Sequence, residues 1–194
     1  LDLLRLQTAM GFTAEDFDLI IEDMAALGKE PTYCMGDDIP LAVLSEKPHL
    51  LFDYFKQRFA QVTNPPIDPL REKLVMSLEM HLGERRPALK PQAEAAAVIH
   101  LETPVVNEAE LAAISQQGLP VQTLSTQVAV EACAGGLQPA LEALCHAAER
   151  AVRGGAQVLV LSDRVDATGV ATPLTPTTVA MPSLLSVGAV HHHL

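Results

Sequence analysis

The chain has 194 residues and a formal net charge of −11, and its 13 basic residues against 24 acidic ones exclude a surface built to bind nucleic acid phosphates. Its apolar fraction of 48% is enough for a core, which must be made mainly of Leu, Val, Ala and Ile because only 4% of the residues are aromatic. No uninterrupted apolar run approaches the ~18 residues of a membrane helix, so we expect neither a nucleic-acid nor a membrane partner.

The sequence pattern of residues 1–83 predicts that this part of the chain is rich in helices. Its first clear helix begins after Thr13, a suitable N-cap, and ends at Gly28. Phe12 and Phe17 occupy the two positions of a hydrophobic staple around that cap. A second helix is predicted over 48–60.

A third helix is predicted to begin after Asp68 as cap, with Pro69 at the first helical position. It is expected to bury the leucines that share one face, Leu70, Leu74 and Leu78. The stretch 84–91 then breaks any regular pattern and serves as a connector to a second part, 92–194.

The part from 92 to 194 alternates strands and helices. Short strands are predicted over 98–101, 127–132 and 157–161, and a capping box over 107–110 starts a helix. An apolar stripe from Leu137 to Val152 predicts a further helix between the last two strands, so 127–132 and 157–161 are expected to pair in parallel. A helix is also predicted over 182–194, where the chain ends. The expected fold class is therefore α/β, a helical part followed by β-α-β units with a mainly parallel sheet.

Histidines and cysteines offer no clear ligand set in the sequence. Neighbouring helical residues point about 100° apart, so His191–His193 cannot converge on one metal, and a tag remnant or a mixed surface and packing role is favoured. His146 and the other single histidines are interpreted as surface or core residues. The three cysteines are widely spaced, which favours reduced thiols in a cytoplasmic compartment over a disulfide framework. We expect no catalytic, cofactor-binding or metal-binding residue.

Two acidic stretches remain as weaker candidates. Ser162, Asp163 and Arg164 follow a predicted buried strand, where sites of open α/β sheets occur, although capping and surface roles explain them equally well. Asp37 and Asp38 are paired carboxylates, but the Gly-Asp-Asp-Ile-Pro sequence around them is typical of a turn.

The segment 59–69 carries the most specific pattern, Phe-Ala-Gln-Val-Thr-Asn-Pro-Pro-Ile-Asp-Pro. Its prolines fix backbone angles and remove hydrogen-bond donors, so the segment cannot be a helix or a central strand. A rigid loop results, in which backbone carbonyls and the side chains of Thr63 and Asn64 can line a surface. A stiff connector between two helices is the alternative.

Several motifs together resemble the central domain of glutamate synthase large chains, whether ferredoxin- or NAD(P)H-dependent. They are Cys34–Ser45, Leu51–Glu72, Val75–Leu78, Leu101–Pro104, Asn107–Leu111, Leu161–Arg164 and Pro182–Leu194. The resemblance covers essentially the whole of 1–194. It also makes His191–His193 native family sequence, so the tag explanation falls.

The resemblance implies a place within a larger enzyme that makes L-glutamate from L-glutamine and 2-oxoglutarate. The partners implied are a glutaminase domain and an FMN-binding synthase domain of the same chain, with FMN and an iron–sulfur cluster in the parent enzyme. It also implies an arrangement similar to part of the flavin-barrel domain, and the plastid stroma as location in a plant. The family's N-terminal cysteine nucleophile is absent here, where residue 1 is Leu1, so this chain alone is expected to be non-catalytic. Its cysteines are too scattered for the family's iron–sulfur cluster and no FMN-phosphate segment is visible, so it is expected to bind no cofactor.

A wall of the ammonia channel is the role that the resemblance suggests for Thr63 and Asn64. Asp37, Asp38, Asp163 and Arg164 are assigned to domain contacts and loop ordering. Two alternatives remain: a purely structural spacer with no channel role, and an independent α/β enzyme that uses Ser162, Asp163 and the C-terminal histidines.

Overall fold

The structure, a computed structural model, describes residues 3–31, 42–46, 54–55, 57, 59, 68–84, 86–90 and 92–194. The chain divides into two compact units, one made of residues 1–82 and 100–110 and the other of residues 83–99 and 111–194. Residues 100–110 thus belong to the first unit although they follow the connector in the chain. The predicted helix over 48–60 lies almost wholly outside the described residues.

The described helices and strands up to residue 101 are short. They are the helices α1 (Leu3–Ala9), α2 (Ala14–Asp16), α3 (Glu22–Leu27) and α4 (Pro69–Val75), and the strands β1 (Met80–Leu82) and β2 (Ile99–Leu101), which form a two-stranded sheet. Strand β2 confirms the strand predicted over 98–101.

The start of α2 confirms the predicted cap. The backbone N–H of Thr13 donates to Asp16 Oδ2 at 2.8 Å, and the Thr13 hydroxyl oxygen accepts from the Asp16 N–H at 3.2 Å. The rings of Phe12 and Phe17 lie 5.6 Å apart, as a hydrophobic staple requires. Between α2 and α3, Phe17–Ile21 form a π-helical turn that the apolar periodicity did not reveal.

The end of α3 is fixed by a glycine and by a distant threonine. Gly28 has φ +58°, a left-handed conformation that suits glycine, and a Cβ there would collide with the carbonyl oxygen of Glu102. The Thr103 hydroxyl donates to the carbonyl oxygen of Met24 at 2.7 Å, a second bond to an oxygen that already accepts from the Gly28 N–H at 3.2 Å. The prediction that this helix ends at Gly28 is confirmed.

Helix α4 has the predicted cap but not the predicted burial. Asp68 Oδ1 accepts from the N–H groups of Leu70 and Arg71, both at 3.1 Å. Leu70 is 93% exposed and Leu74 is 81% exposed, so the expectation that they are buried is wrong. Periodicity shows which residues share a helix face, but it does not show whether that face meets an apolar partner.

The remaining elements are three helices separated by two pairs of consecutive strands. They are α5 (Glu108–Gln116), β3 (Val121–Ser125), β4 (Gln127–Ala129), α6 (Gln138–Arg153), β5 (Val158–Ser162), β6 (Thr178–Ala180) and α7 (Ser183–His193). Asn107 and Glu110 form the predicted capping box at α5: Asn107 N–H donates to Glu110 Oε2 at 2.7 Å, and Glu110 N–H donates to Asn107 Oδ1 at 3.0 Å.

The strand pairing confirms the α/β class and corrects one partner. Strand β5 pairs in parallel with β3, from Val121 opposite Val158 to Ser125 opposite Ser162. Strand β4 instead pairs antiparallel with β6. The predicted parallel pairing of 127–132 with 157–161 is therefore wrong, because the partner of β5 is β3, which the sequence pattern did not indicate. In the structure the strand of that region ends at Ala129, and a 3-10 helix occupies Val130–Cys133.

The core of the second unit lies where α6 and α7 pack beside the strands. Its buried residues are Val128, Leu144, Cys145, Ala148, Met181 and Val190. Ala148 is completely buried on α6, where a small side chain lets a neighbouring element approach closely. Leu144 and Ala148 of the predicted apolar stripe therefore belong to the core, together with Cys145, whereas Val152 at the end of the stripe is exposed.

Candidate functional site

The described residues include two of the six candidate site residues. Asp163 and Arg164 follow β5 at the carboxyl end of the parallel pair, where the sequence analysis placed them. Thr63, Asn64, Asp37 and Asp38 lie outside the described residues.

One buried threonine joins the two small sheets of the second unit. Thr126 lies between β3 and β4, and its backbone N–H donates to the carbonyl oxygen of Ser162 at 2.8 Å. Its carbonyl oxygen accepts from the N–H of Met181 at 2.9 Å. At this residue the hydrogen-bond partner of the chain therefore changes from β5 to β6.

The loop 163–172 is held against this junction by two side chains. Gln127 Nε2 donates to the carbonyl oxygens of Asp163 at 2.8 Å and Thr172 at 2.7 Å. The Ser125 hydroxyl donates to the carbonyl oxygen of Val165 at 2.6 Å. Because Gln127 binds both ends of the loop, its side-chain amide acts as a clamp on it.

Arg164 contributes to the order of the loop through its backbone. Its N–H donates to the Ser162 hydroxyl oxygen at 3.1 Å, and its carbonyl oxygen accepts from the Thr172 N–H at 3.0 Å. An antiparallel bridge between Val165 and Ala171 lies just inside these bonds. The Arg164 side chain is exposed, while that of Asp163 is half-buried.

A single carboxylate organises the tip of the loop. Asp166 Oδ1 accepts from the Thr168 hydroxyl at 2.6 Å, the Thr168 N–H at 2.8 Å and the Val170 N–H at 3.1 Å. The Thr172 hydroxyl adds a bond to Oδ2 at 3.2 Å. These donors, above all the Thr168 hydroxyl, hold the pKa of Asp166 below its ordinary value because they stabilise the ionised form.

This arrangement builds a rigid loop rather than a nucleophilic centre. The Ser162 hydroxyl accepts from a backbone N–H, and within the described part of the chain no hydrogen bond joins Ser162 or Asp163 to a histidine. Nucleophilic catalysis by a serine needs a base within hydrogen-bond reach. The geometry thus gives no support to the alternative of an independent enzyme that uses these residues.

A second polar cluster, which the sequence analysis missed, joins α6 and α7. It consists of His146, Glu149 and His193, whose potential ligand atoms all lie within 4.8 Å of one another. His146 and Glu149 share a face of α6 at a spacing of three residues, a signal that was present in the sequence. The third residue of the cluster, His193, could not be found from the sequence, because its position depends on how α7 packs against α6.

Among the described residues no helix combines the length and the apolar character needed to cross a membrane.

Comparisons with known proteins agree on one family. Residues 5–194 match the family model of the glutamate synthase central domain. The chain is 55% identical over 194 residues to the chloroplastic ferredoxin-dependent glutamate synthase of Oryza sativa subsp. japonica, an alignment that covers 99% of this chain and 12% of the relative.

Two further relatives give similar values. The chain is 54% identical over 192 residues to ferredoxin-dependent glutamate synthase 2 of Synechocystis sp., with 99% of this chain and 12% of the relative covered. It is 54% identical over 198 residues to the chloroplastic ferredoxin-dependent glutamate synthase of Spinacia oleracea, with the same coverage of 99% and 12%. The chain thus spans about 12% of the length of these curated relatives.

Proposed function

Because the chain belongs to the glutamate synthase central-domain family, we propose that it connects a glutaminase domain to an FMN-binding synthase domain and helps to wall an ammonia channel between them. The observation that carries this proposal is the match over residues 5–194, in a chain that spans about 12% of its relatives. The parent enzyme would make L-glutamate from L-glutamine and 2-oxoglutarate.

The surface of the first unit supports a role inside a larger chain. Large apolar side chains are more than half exposed there, on Leu3, Leu4, Phe55, Phe59, Leu70 and Leu74. Exposed apolar area of this kind is typical of surfaces that other protein parts cover. The two leucines of α4 lie one helical turn apart on the same face, as residues that meet one partner surface do.

The channel role rests on the proline-framed segment 59–69 and on the chemistry of ammonia. Ammonia must stay unprotonated and away from bulk water, because ammonium is strongly hydrated and is a poor nucleophile. A closed and water-poor passage prevents loss of the intermediate and unwanted proton transfer. Thr63 and Asn64, held by the neighbouring prolines, are the residues that we propose for the channel wall.

Asp163, Arg164, Asp37 and Asp38 are proposed as residues of domain contacts and loop ordering. For Asp163 and Arg164 the support is their place in the clamped loop 163–172, where their backbone groups are held. A loop fixed in this way can present an exposed arginine to a neighbouring domain at little further cost in backbone conformational entropy.

The cofactors and the location follow from the family and not from this chain. We propose that FMN and an iron–sulfur cluster are held by other parts of the parent enzyme, and that this domain contributes no catalytic residue. The relatives from Oryza sativa and Spinacia oleracea are named chloroplastic, which supports the plastid stroma for a parent enzyme from a plant.

The channel proposal is tested in the full-length parent enzyme. Asn64→Trp and Thr63→Phe should leave glutamine hydrolysis active while lowering glutamate formation from 2-oxoglutarate, because a bulky wall blocks the passage. The readout is free ammonium released per glutamine hydrolysed, which should rise several-fold. Gln116→Trp, at the exposed end of α5, is the control for the bulk of the new side chain.

The spacer alternative gives the opposite result. A domain that only holds its neighbours apart would tolerate Asn64→Trp with no release of ammonium, and glutamine use would stay coupled to glutamate formation. That outcome would remove Thr63 and Asn64 from the channel wall while leaving the family membership untouched.

A further inference from the structure

The cluster of His146, Glu149 and His193 brings three metal-binding side chains together from two helices. His146 Nδ1 lies 3.7 Å from Glu149 Oε2, and His193 Nε2 lies 3.7 Å from the same oxygen. The two imidazole rings meet edge to face, with centroids 5.5 Å apart. Within the described part of the chain this is the one group of three such residues whose ligand atoms are this close.

These distances suit a small divalent cation. Bonds of about 2.0–2.1 Å to nitrogen and oxygen, arranged tetrahedrally, place neighbouring ligand atoms ~3.4 Å apart. The two distances of 3.7 Å exceed that value by a few tenths of an ångström, and all three ligand atoms lie within 4.8 Å of one another, so rotations of the two histidine side chains can close the remaining gaps. Side-chain exposures of 61% for His146 and 34% for His193 leave room for such rotations.

The donor set selects the kind of ion. Two imidazoles and one carboxylate are ligands typical of zinc and of its first-row neighbours, whereas magnesium and calcium prefer oxygen ligands alone. Three protein ligands leave a fourth position to water.

We propose that His146, Glu149 and His193 bind one zinc-class divalent cation, which joins α6 to the end of α7. The cation stabilises the packing of the two helices. The proposed site goes beyond what the family membership implies, and it does not depend on whether the chain walls a channel.

Arg153 shapes the site without blocking it. Its guanidinium lies 2.5 Å from Glu149 Oε1, the oxygen that does not face the histidines. The guanidinium is a positive charge beside the proposed site. The same charge repels a cation, so removing Arg153 should tighten binding rather than weaken it.

The test uses the 194-residue chain, with zinc chloride titrated calorimetrically at neutral pH. We expect one equivalent of zinc to bind, and His146→Ala or His193→Ala to weaken binding by more than ~10-fold. Glu149→Gln, which keeps the shape of the side chain, should also weaken it. The matched control is His192→Ala, in the same turn of α7 but outside the cluster, which should bind as the parent chain does.

Two further readouts distinguish this site from zinc binding at cysteines or elsewhere on the chain. The Co²⁺ complex should show visible ligand-field bands without thiolate charge-transfer bands, because none of the three proposed ligands is a cysteine. Zinc should raise the thermal midpoint of the parent chain and of His192→Ala but not that of His146→Ala.

The proposal is overturned if zinc binds equally well to His146→Ala and to the parent chain, if the parent chain binds no zinc, or if the Co²⁺ spectrum shows thiolate bands. Circular dichroism of each variant without metal confirms that the substitutions left the helices intact.

Discussion

The amide of Gln127 should decide how firmly the loop 163–172 is held. Gln127→Ala removes the donor that binds the carbonyl oxygens of Asp163 at 2.8 Å and Thr172 at 2.7 Å. Each such bond contributes about 0.5–1.5 kcal/mol, and a partly buried carbonyl left without a donor costs more than an exposed one. We therefore expect the free energy of unfolding to fall by about 2 kcal/mol, which lowers the thermal midpoint by ~5 °C.

Gln127→Glu tests the role of the amide N–H more directly. The two side chains have nearly the same shape, but a carboxylate has no N–H to donate and brings negative charge against two carbonyl oxygens. It should destabilise the chain by more than Gln127→Ala does, because burying an unpaired charge costs more than losing a hydrogen bond.

Gln122 provides the matched control. It is also a strand glutamine whose amide donates to a backbone carbonyl, that of Thr123 at 3.1 Å, but it is exposed. Gln122→Ala should change the free energy of unfolding by less than ~0.5 kcal/mol. The assay is urea unfolding followed by circular dichroism, with hydrogen exchange at the amides of Asp166 and Thr172 as a local readout.

Equal losses for Gln122→Ala and Gln127→Ala would refute the clamp, and so would unchanged exchange at these two amides in Gln127→Ala. A greater stability of Gln127→Glu than of Gln127→Ala would show that the amide is not the group that matters.

Three further predictions concern single contacts. Gly28→Ala should cost at least ~1 kcal/mol more than Gly169→Ala in urea unfolding, because both glycines have positive φ but a Cβ at Gly28 also collides with Glu102. Thr13→Ala should cost about 1 kcal/mol through loss of the cap, and faster exchange confined to the amides of α2 should accompany it. Asp166→Asn should destabilise the chain at pH values above 3.8, the ordinary pKa of the carboxyl group. The pKa of Asp166 is lowered in the folded chain, so its contribution is lost as pH falls through the folded pKa, and unfolding at pH 3 and pH 6 should show the variant's deficit shrink at the lower pH.

Local signals were read correctly from the sequence because they need only a few neighbouring residues. The capping boxes at Thr13 and Asn107, the cap at Asp68 and the glycine end of α3 each depend on a side chain and a backbone group within one turn. The π-helical turn that follows α2 has no such signature, because it is defined by a backbone bond from the Glu22 N–H to the Phe17 carbonyl oxygen and not by a capping side chain.

Strand pairing and side-chain burial were harder to predict, because they depend on distant parts of the chain. Strand β3 has only Val121 and Leu124 as strongly apolar residues, so a run that begins at Gln127 seemed the better partner for β5. Leu70 and Leu74 show the same limit for a helix face, whose partner surface the sequence does not specify. The approach of His193 to α6 is a third case, since it depends on how two helices pack.

Thr126 has a consequence for how the second unit unfolds. Its N–H is bonded to the end of β5 and its carbonyl to the residue after β6, so separating either sheet leaves a backbone group of a buried residue without its bond. The parallel and antiparallel strand pairs should therefore melt as one cooperative segment. Two sheets that look independent on a topology diagram are, in this sense, a single folding unit.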